Sequence, residues 1–172
     1  LGELTRKELG EAISSGTVQA AIVPTGATEQ HQDHLAMIHD TASVTEISRR
    51  VAMRFSPRVL VTPTISMSVS EHHMNRGGAL TVRPEIHLEH VYDICHSLKR
   101  LGVPRVMVVN GHGGNKDLVG MASQDLVNRL GRPATVASCN YWDIAKPALV
   151  EAGLLPAPLI PGHAGHFETS AV

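Results

Sequence analysis

The chain has 172 residues, with 15 Lys and Arg against 16 Asp and Glu, for a formal charge of -1. That balance excludes a nucleic-acid binder working through a basic face and excludes an acidic tail. With 42% hydrophobic and 18% charged residues it is too apolar for a disordered region, and no run approaches the roughly 20 apolar residues of a membrane span.

Thr5-Arg6-Lys7-Glu8 reads as a capping box that opens a short helix reaching about Ser15 and closed by Gly16. Val18 to Pro24 is a first apolar strand, followed by a polar loop to Asp40. Thr41 to Phe55 is expected to be helical, with Val44, Ile47, Val51 and Phe55 on one face. Arg58 to Thr62 is a second strand, and a long loop through Glu71-His72-His73 and Gly77-Gly78 follows it. Pro84 suits the first turn of a helix whose buried stripe is Leu88, Val91, Cys95, Leu98 and Leu101, with Gly102 as its stop. Arg105 to Val109 is the clearest buried strand and runs into Asn110-Gly111-His112-Gly113-Gly114-Asn115. Lys116 to Leu130 is a helix and Ala134 to Ser138 a fourth strand; the proline-bearing remainder reads as loop, including Glu151 to Gly162. This alternation implies βαβ units in a three-layer α/β/α fold with a mostly parallel sheet.

Cys95 and Cys139 form no disulfide framework; both sit on apolar elements and read as buried thiols, which points to a reducing, cytoplasmic setting. The start, Leu1-Gly2-Glu3-Leu4, carries no signal-peptide pattern. Eleven histidines against 3% aromatics is unusual, and the histidines cluster. Glu29, Gln30, His31, Gln32, Asp33 and His34, then His39-Asp40, follow the first strand. Glu71-His72-His73 follows the second, His112 the third, and Asn140 to Asp143 the fourth; His163 to Glu168 lie in the tail. In a parallel sheet these loops share one rim, beyond the carboxyl ends of the strands. Carboxylate and imidazole together suit Zn²⁺, Mn²⁺ or Fe²⁺. Glu29 and His31 can face one way from an extended loop, and Asp40 can bridge two ions.

Other readings stand beside this one. Asp40 can be only the N-cap of the helix that follows it. Gly111, Gly113 and Gly114 can cradle a phosphate of a nucleotide, although no P-loop Lys and Ser or Thr follow. His72, His73, His87, His90 and His96 read as surface histidines or as supports for metal ligands.

Three blocks resemble the creatininase family. Pro24 to His31 with His34-Leu35 and Asp40-Thr41 is similar to P-x-G-S-x-E-Q-H-G-x-H-L-P-x-x-T-D. Val109 to Asn115 matches V-N-G-H-G-G-N, and His163 to Ser170 resembles H-A-G-x-x-E-T-S. Glu71-His72 and Gly78-Ala79-Leu80 are like the looser segment between them. The resemblance implies one hydrolase domain over residues 1–172 that lacks its C-terminal segment, and a homo-oligomer, a hexamer, acting on a small molecule with neither nucleic acid nor membrane as partner.

It also implies two divalent ions, Zn²⁺ and/or Mn²⁺ with Fe²⁺ as a third option. Glu29, Asp40 and His112 would hold one ion; His31, Asp40 and a further carboxylate would hold the other. The family places that carboxylate where Gly114 stands here, so Glu168 is the expected replacement. A metal-bridging hydroxide would attack a cyclic or formyl amide carbon, and His163 would protonate the leaving nitrogen. Gln30, Asn110 and Asn115 would orient ligands, Glu71 and His72 would lie near them, and Trp142 would wall the pocket. Gln32 and Asp33 depart from the family block and suggest a hydroxylated substrate, hence a rival reading: opening of a cyclic keto-polyol of keto-inositol type at a C–C bond. His39 replaces the threonine before Asp40. The loss at Gly114 motivates a third reading, a catalytically silent metal-binding subunit.

Overall fold

The computed structural model describes residues 1–130 and 135–171. Four strands, β1 (Ala20–Thr25), β2 (Val59–Val61), β3 (Arg105–Asn110) and β4 (Thr135–Asn140), form one sheet in the order β2-β1-β3-β4. Every pairing in it is parallel. The helices are α1 (Arg6–Ser14), α2 (His39–Arg54), α3 (Pro84–Leu101), α4 (Lys116–Leu130), α5 (Tyr141–Glu151) and the short α6 (His166–Thr169).

Strand periodicity divides the core into two layers. Ala21 and Val23 of β1, with Val106 and Val108 of β3, face a cluster with Val91, Cys95 and Leu98 of α3 and Val119 and Leu126 of α4. Ile22 and Val109, one residue out of phase, face Val44 of α2, Tyr141, Trp142 and Phe167 on the other side. Successive strand residues point to opposite faces, so one strand can serve both layers. The expected three-layer α/β/α fold is what forms.

Local signals hold at several ends. Thr5 Oγ1 accepts from the Glu8 backbone N–H while Glu8 accepts from the Thr5 N–H, the reciprocal capping box. Pro84 opens α3, and Gly102 closes it in the left-handed region at φ 94°.

Four expectations need correction. Asp40 is not an N-cap: α2 begins at His39, and its N-cap, Ile38, makes no side-chain cap bond. The buried register of α3 starts at His87, which is 1% exposed, whereas Leu101 is 47% exposed. The segment after β4 is helical: α5 runs to Glu151 despite Pro147 within it, because Tyr141 and Trp142 anchor its first turn in the core. The expected start of β4, Ala134, lies outside the described residues; the strand runs on to Asn140, beyond Ser138.

The strand order makes a switch point. From β1 the chain crosses to β2 on one side and later returns to β3 on the other. The carboxyl ends of β1 and β3 therefore flank a crevice, the place where open parallel sheets bind ligands. Thr25 pairs with Asn110 there, and the Gly111 N–H donates to the Thr25 carbonyl at 2.8 Å. Two glycines let α2 press its first turn onto this crevice. A Cβ at Gly26 would lie 2.6 Å from Thr41 Cα, and one at Gly111 would lie 2.6 Å from Val44 Cβ.

Candidate metal centre

The first turn of α2 thus brings Asp40 over the ends of β1 and β3, and the loops after those strands bring Glu29, His31 and His112 to it. All four are buried, none more than 3% exposed. Asp40 uses both carboxylate oxygens: Oδ1 lies 3.0 Å from His31 Nε2, and Oδ2 lies 2.9 Å from His112 Nδ1. Its position in the first turn of a helix also favours negative charge.

The far nitrogens of both rings are held by backbone carbonyls, which only accept. His31 Nδ1–H donates to the Glu29 carbonyl at 3.1 Å, and His112 Nε2–H donates to the Val69 carbonyl at 3.0 Å. This fixes the tautomers. In the neutral rings the lone pairs lie on His31 Nε2 and His112 Nδ1, and both face Asp40. A carbonyl bond behind a ligating imidazole is the usual support of a metal-binding histidine.

Glu29 completes one half. Its Oε1 lies 3.3 Å from His112 Nδ1, 3.5 Å from His73 Nε2 and 3.7 Å from His163 Nδ1. Its Oε2 is buried with no hydrogen-bond partner among the described residues. Such an orphan oxygen costs free energy unless a cation or donor meets it. Glu29, His72 and His112 offer ligand atoms within 4.8 Å of one another, as do Glu29, His73 and His163. On the other half, Glu168 Oε2 stands 3.8 Å from His31 Nε2, and His31, His39, Asp40 and Glu168 form a further group within the same limit.

The protonation pattern follows. Burial works against charge on His112, but Asp40 and Glu29 outweigh it and hold the ring's pKa up at about 10. His31 is raised as well, burial again opposing and Asp40 prevailing. Burial also opposes charge on Asp40 and Glu29, but the imidazoles, His112 first for each, keep both carboxyls below their ordinary values. Glu168 goes the other way: burial, partly offset by the Ala164 N–H that donates to it and reinforced by Asp40, pushes it up to about 7. The proton on His112 thus offsets charge in a carboxylate-rich pocket, in the place where divalent cations would do so. Residues and geometry fit such ions.

The remaining expected residues divide. The Gln32 N–H donates to Gln30 Oε1, which turns the Gln30 amide nitrogen toward His73 Nδ1 at 2.9 Å and His163 Nε2 at 3.2 Å. Gln30 therefore orients two rings at the mouth. Asn110 locks the His112 loop, accepting from the His112 N–H at 3.1 Å and donating to the His112 carbonyl at 2.8 Å. Asn115 is fully buried and accepts from the Val69 N–H at 3.4 Å, steadying the strand of chain that holds His112 from behind. Trp142 is both core and wall: 3% exposed, edge-on to Tyr141 at 5.4 Å, and on the lining of a cleft of about 360 Å³ with Glu29, His72, His163 and Glu168.

Gln32, Asp33 and Glu71 are exposed and do not line that cleft; Gln32, at φ 56°, turns the chain outward. Gly114 also has a reason. A Cβ there would stand 2.4 Å from both His112 Nε2 and the Val69 carbonyl, so this backbone has no space for a carboxylate at that position. In this loop Gly111 packs against α2 and Gly114 against His112 and Val69, while Gly113 is open and lines the cleft.

Sequence reasoning missed two residues. His73 reaches Glu29, and its signal was its place in a Glu-His-His run. His39, 6% exposed, joins the Asp40 group, and its signal was the departure from Thr-Asp. Of the histidines left as surface or supporting groups, His87 proves fully buried in the α3 stripe. A larger cleft of about 550 Å³, between α3 and the segment after β2, is lined by none of the residues of these groups. Cys95 is buried as expected, with its pKa pushed up to about 12; Cys139 is only partly buried, though burial, aided by Asp143, raises its pKa too. Among the described residues no helix is long and apolar enough to cross a membrane.

Comparison with known proteins agrees with this geometry. Residues 2–172 match the creatininase family (creatinine amidohydrolase). Creatinine amidohydrolase of Pseudomonas putida is 31% identical over 99% of this chain and 69% of its own length. A mycofactocin precursor peptide peptidase of Mycobacterium ulcerans is 30% identical over 96% of this chain and 63% of its own. The 3-dehydro-scyllo-inosose hydrolase of Thermotoga maritima is 24% identical, over 97% and 53%. The chain therefore spans about half to two thirds of the length of these relatives.

A crystal structure of creatinine amidohydrolase superposes with a TM-score of 0.86 at 29% identity, covering 99% of this chain and 69% of the other. Creatininase structures in a Zn-Zn form and an Mn form superpose at 0.84 and 0.81, each at 29% identity, over 99% of this chain and 69% and 70% of theirs. By sequence, fold and the residues at its strand ends, the chain belongs to the creatininase family of metal-dependent hydrolases.

Proposed function

We propose that this chain hydrolyses an amide C–N bond, in a cyclic or formyl amide, at a two-metal centre. The observation that carries the reading is Asp40, with one oxygen on His31 and the other on His112, beside the orphaned Oε2 of Glu29. Glu29, Asp40 and His112 would hold one ion; His31, Asp40 and Glu168 would hold the other. Bound there, two divalent ions would polarise the carbonyl and bring the pKa of water toward neutrality.

The chain's own groups do the rest. His163 stands at the mouth, where burial, with His31 adding to it, keeps its pKa below the ordinary value. A neutral imidazole can accept the proton lost by the attacking water and return it to the departing nitrogen. Gln30 donates to His163 Nε2 at 3.2 Å in the resting site, with the ring proton on Nδ1 toward Glu29, so proton uptake at Nε2 requires the Gln30 amide to swing aside. Trp142, with Pro161 and Gly162, walls the cleft against bulk water.

The keto-polyol reading leaned on Gln32 and Asp33, and both are exposed and absent from the lining of the cleft, so amide hydrolysis is preferred. The silent-subunit reading leaned on Gly114; Glu168, whose Oε2 lies 3.8 Å from His31 Nε2, supports the hydrolase reading against it.

Elemental analysis of protein purified at neutral pH without chelator tests the centre. About two ions per chain are expected, and fewer in Glu168→Ala. Amine release from cyclic and formyl amides, run beside keto-polyols, then tests the bond cleaved. Protein without bound metal under these conditions overturns the reading.

A further inference from the structure

His39 stands where the family block carries threonine, and the fold gives that difference a consequence. As the first residue of α2 it lies beside Asp40, buried, with its ring centroid 5.0 Å from that of His31. Ligand atoms of His31, His39, Asp40 and Glu168 all lie within 4.8 Å of one another. A tetrahedral Zn²⁺ holds its ligand atoms ~3.3 Å apart, given Zn–N and Zn–O bonds of about 2.0–2.1 Å. The four groups therefore need to close by little more than a bond length to surround one ion. Ser43 Oγ, one turn along α2, is 3.4 Å from His39 Nε2. If Nε2–H donates to that hydroxyl, Nδ1 keeps its lone pair for a cation, as one nitrogen does in His31 and His112.

We infer that His39 is a fourth protein ligand to the ion held by His31, Asp40 and Glu168, and that it biases this position toward Zn²⁺ over Mn²⁺. The inference rests on the metal-centre reading above. A threonine hydroxyl there would be a weak neutral oxygen donor. An imidazole turns a set of one nitrogen and two carboxylates into two nitrogens and two carboxylates. Imidazole suits Zn²⁺, whereas carboxylate and water suit Mn²⁺. Four protein ligands would also leave less of that ion's coordination sphere for substrate, which assigns the more open role to the ion beside Glu29 and His112.

The test uses the parent chain with His39→Gln and His39→Thr, each stripped with chelator and reloaded. Zn²⁺ and Mn²⁺ affinities are read by competition with a chelating dye. The Co²⁺-loaded forms are read by proton NMR for paramagnetically shifted, exchangeable imidazole N–H signals. Parent and variants are compared first by melting temperature in the stripped state; if the Gln variant does not fold, the Thr variant, which carries the family's own residue, serves. The expected result is loss of one shifted imidazole signal and a drop of about tenfold or more in the affinity of one of the two Zn²⁺ positions, with Mn²⁺ affinity little changed. Variants that keep every shifted signal and the parent Zn²⁺/Mn²⁺ preference, in a parent that binds two ions, overturn the role of His39 alone. A parent that binds neither Zn²⁺ nor Mn²⁺ overturns the metal-centre reading and this inference with it.

Discussion

The buried face of α3 and the crevice at the ends of β1 and β3 each enclose a histidine that is 1% exposed, His87 in the first and His112 in the second. Around His87 both ring nitrogens lack a partner among the described residues, and burial, with His90 and His112 adding to it, pushes its pKa down to about 4. Around His112 two carboxylates overcome the same burial and raise it to about 10. Equal exclusion of water thus gives opposite proton affinities, and the partner decides which. One ring fills space in an apolar layer; the other is held at both nitrogens and aimed. A buried histidine is evidence of a functional site only when acidic groups are built around it.

The strongest way to break this contrast is Asp40→Asn, which removes the charge shared by His31 and His112. Loss of the proposed bridging ligand is expected to cost several kcal/mol of transition-state stabilisation, about a thousandfold in kcat/KM, with metal content falling in the same preparation. Unchanged metal and rate would mean that Asp40 is only a structural partner of the two rings.

Next is the stability of the stripped protein against pH. His87 is neutral when folded and titrates near 4, while its unfolded counterpart titrates near 6.5. The unfolded chain binds the extra proton between these values. Stability contributed by the neutral ring is therefore full above pH 6.5 and lost as pH falls to 4, by about 3 kcal/mol. His87→Leu should flatten that part of the profile in chemical denaturation; an unchanged slope would show that His87 carries little of it.

His163→Ala is expected to reduce kcat by about a hundredfold while leaving bound metal at the parent level, since a positioned proton carrier contributes roughly that much. A variant that lost its metal instead would make His163 a ligand rather than a proton carrier. The smallest effect is expected at Glu71→Ala, an exposed residue outside the cleft. Stability should change by no more than about 0.5 kcal/mol and kinetics should be unaltered; a marked fall in kcat/KM would enlarge the site beyond the cleft described.

How much was legible in the sequence varied with the range of the interaction. The capping box at Thr5, the entry of α3 at Pro84 and its exit at Gly102 depend on a few consecutive residues, and they stand where expected. The convergence of Glu29, His31, Asp40 and His112 was legible too, because strands that alternate with helices pair in parallel and put their following loops on one rim. The second carboxylate at Glu168 was foreseen only by resemblance.

Other features were settled in three dimensions. The lone pair of His112 faces Asp40 because the carbonyl of Val69, 43 residues away, takes the opposite N–H. Gly114 excludes a side chain because His112 and Val69 fill its space, and Gln32 and Asp33 turn outward, although they adjoin His31. His39 and His73 join the cluster only once α2 and the turn at Glu71–Arg76 are docked. α5 forms across Pro147 because Tyr141 and Trp142 are buried. The sequence by itself determined the elements, their alternation and the rim on which the polar residues collect, since hydrophobic period and end signals are local. The tertiary structure decided which ring nitrogen, which carboxylate oxygen and which of the neighbouring polar residues face inward, since those choices depend on atoms tens of residues apart meeting within hydrogen-bond distance.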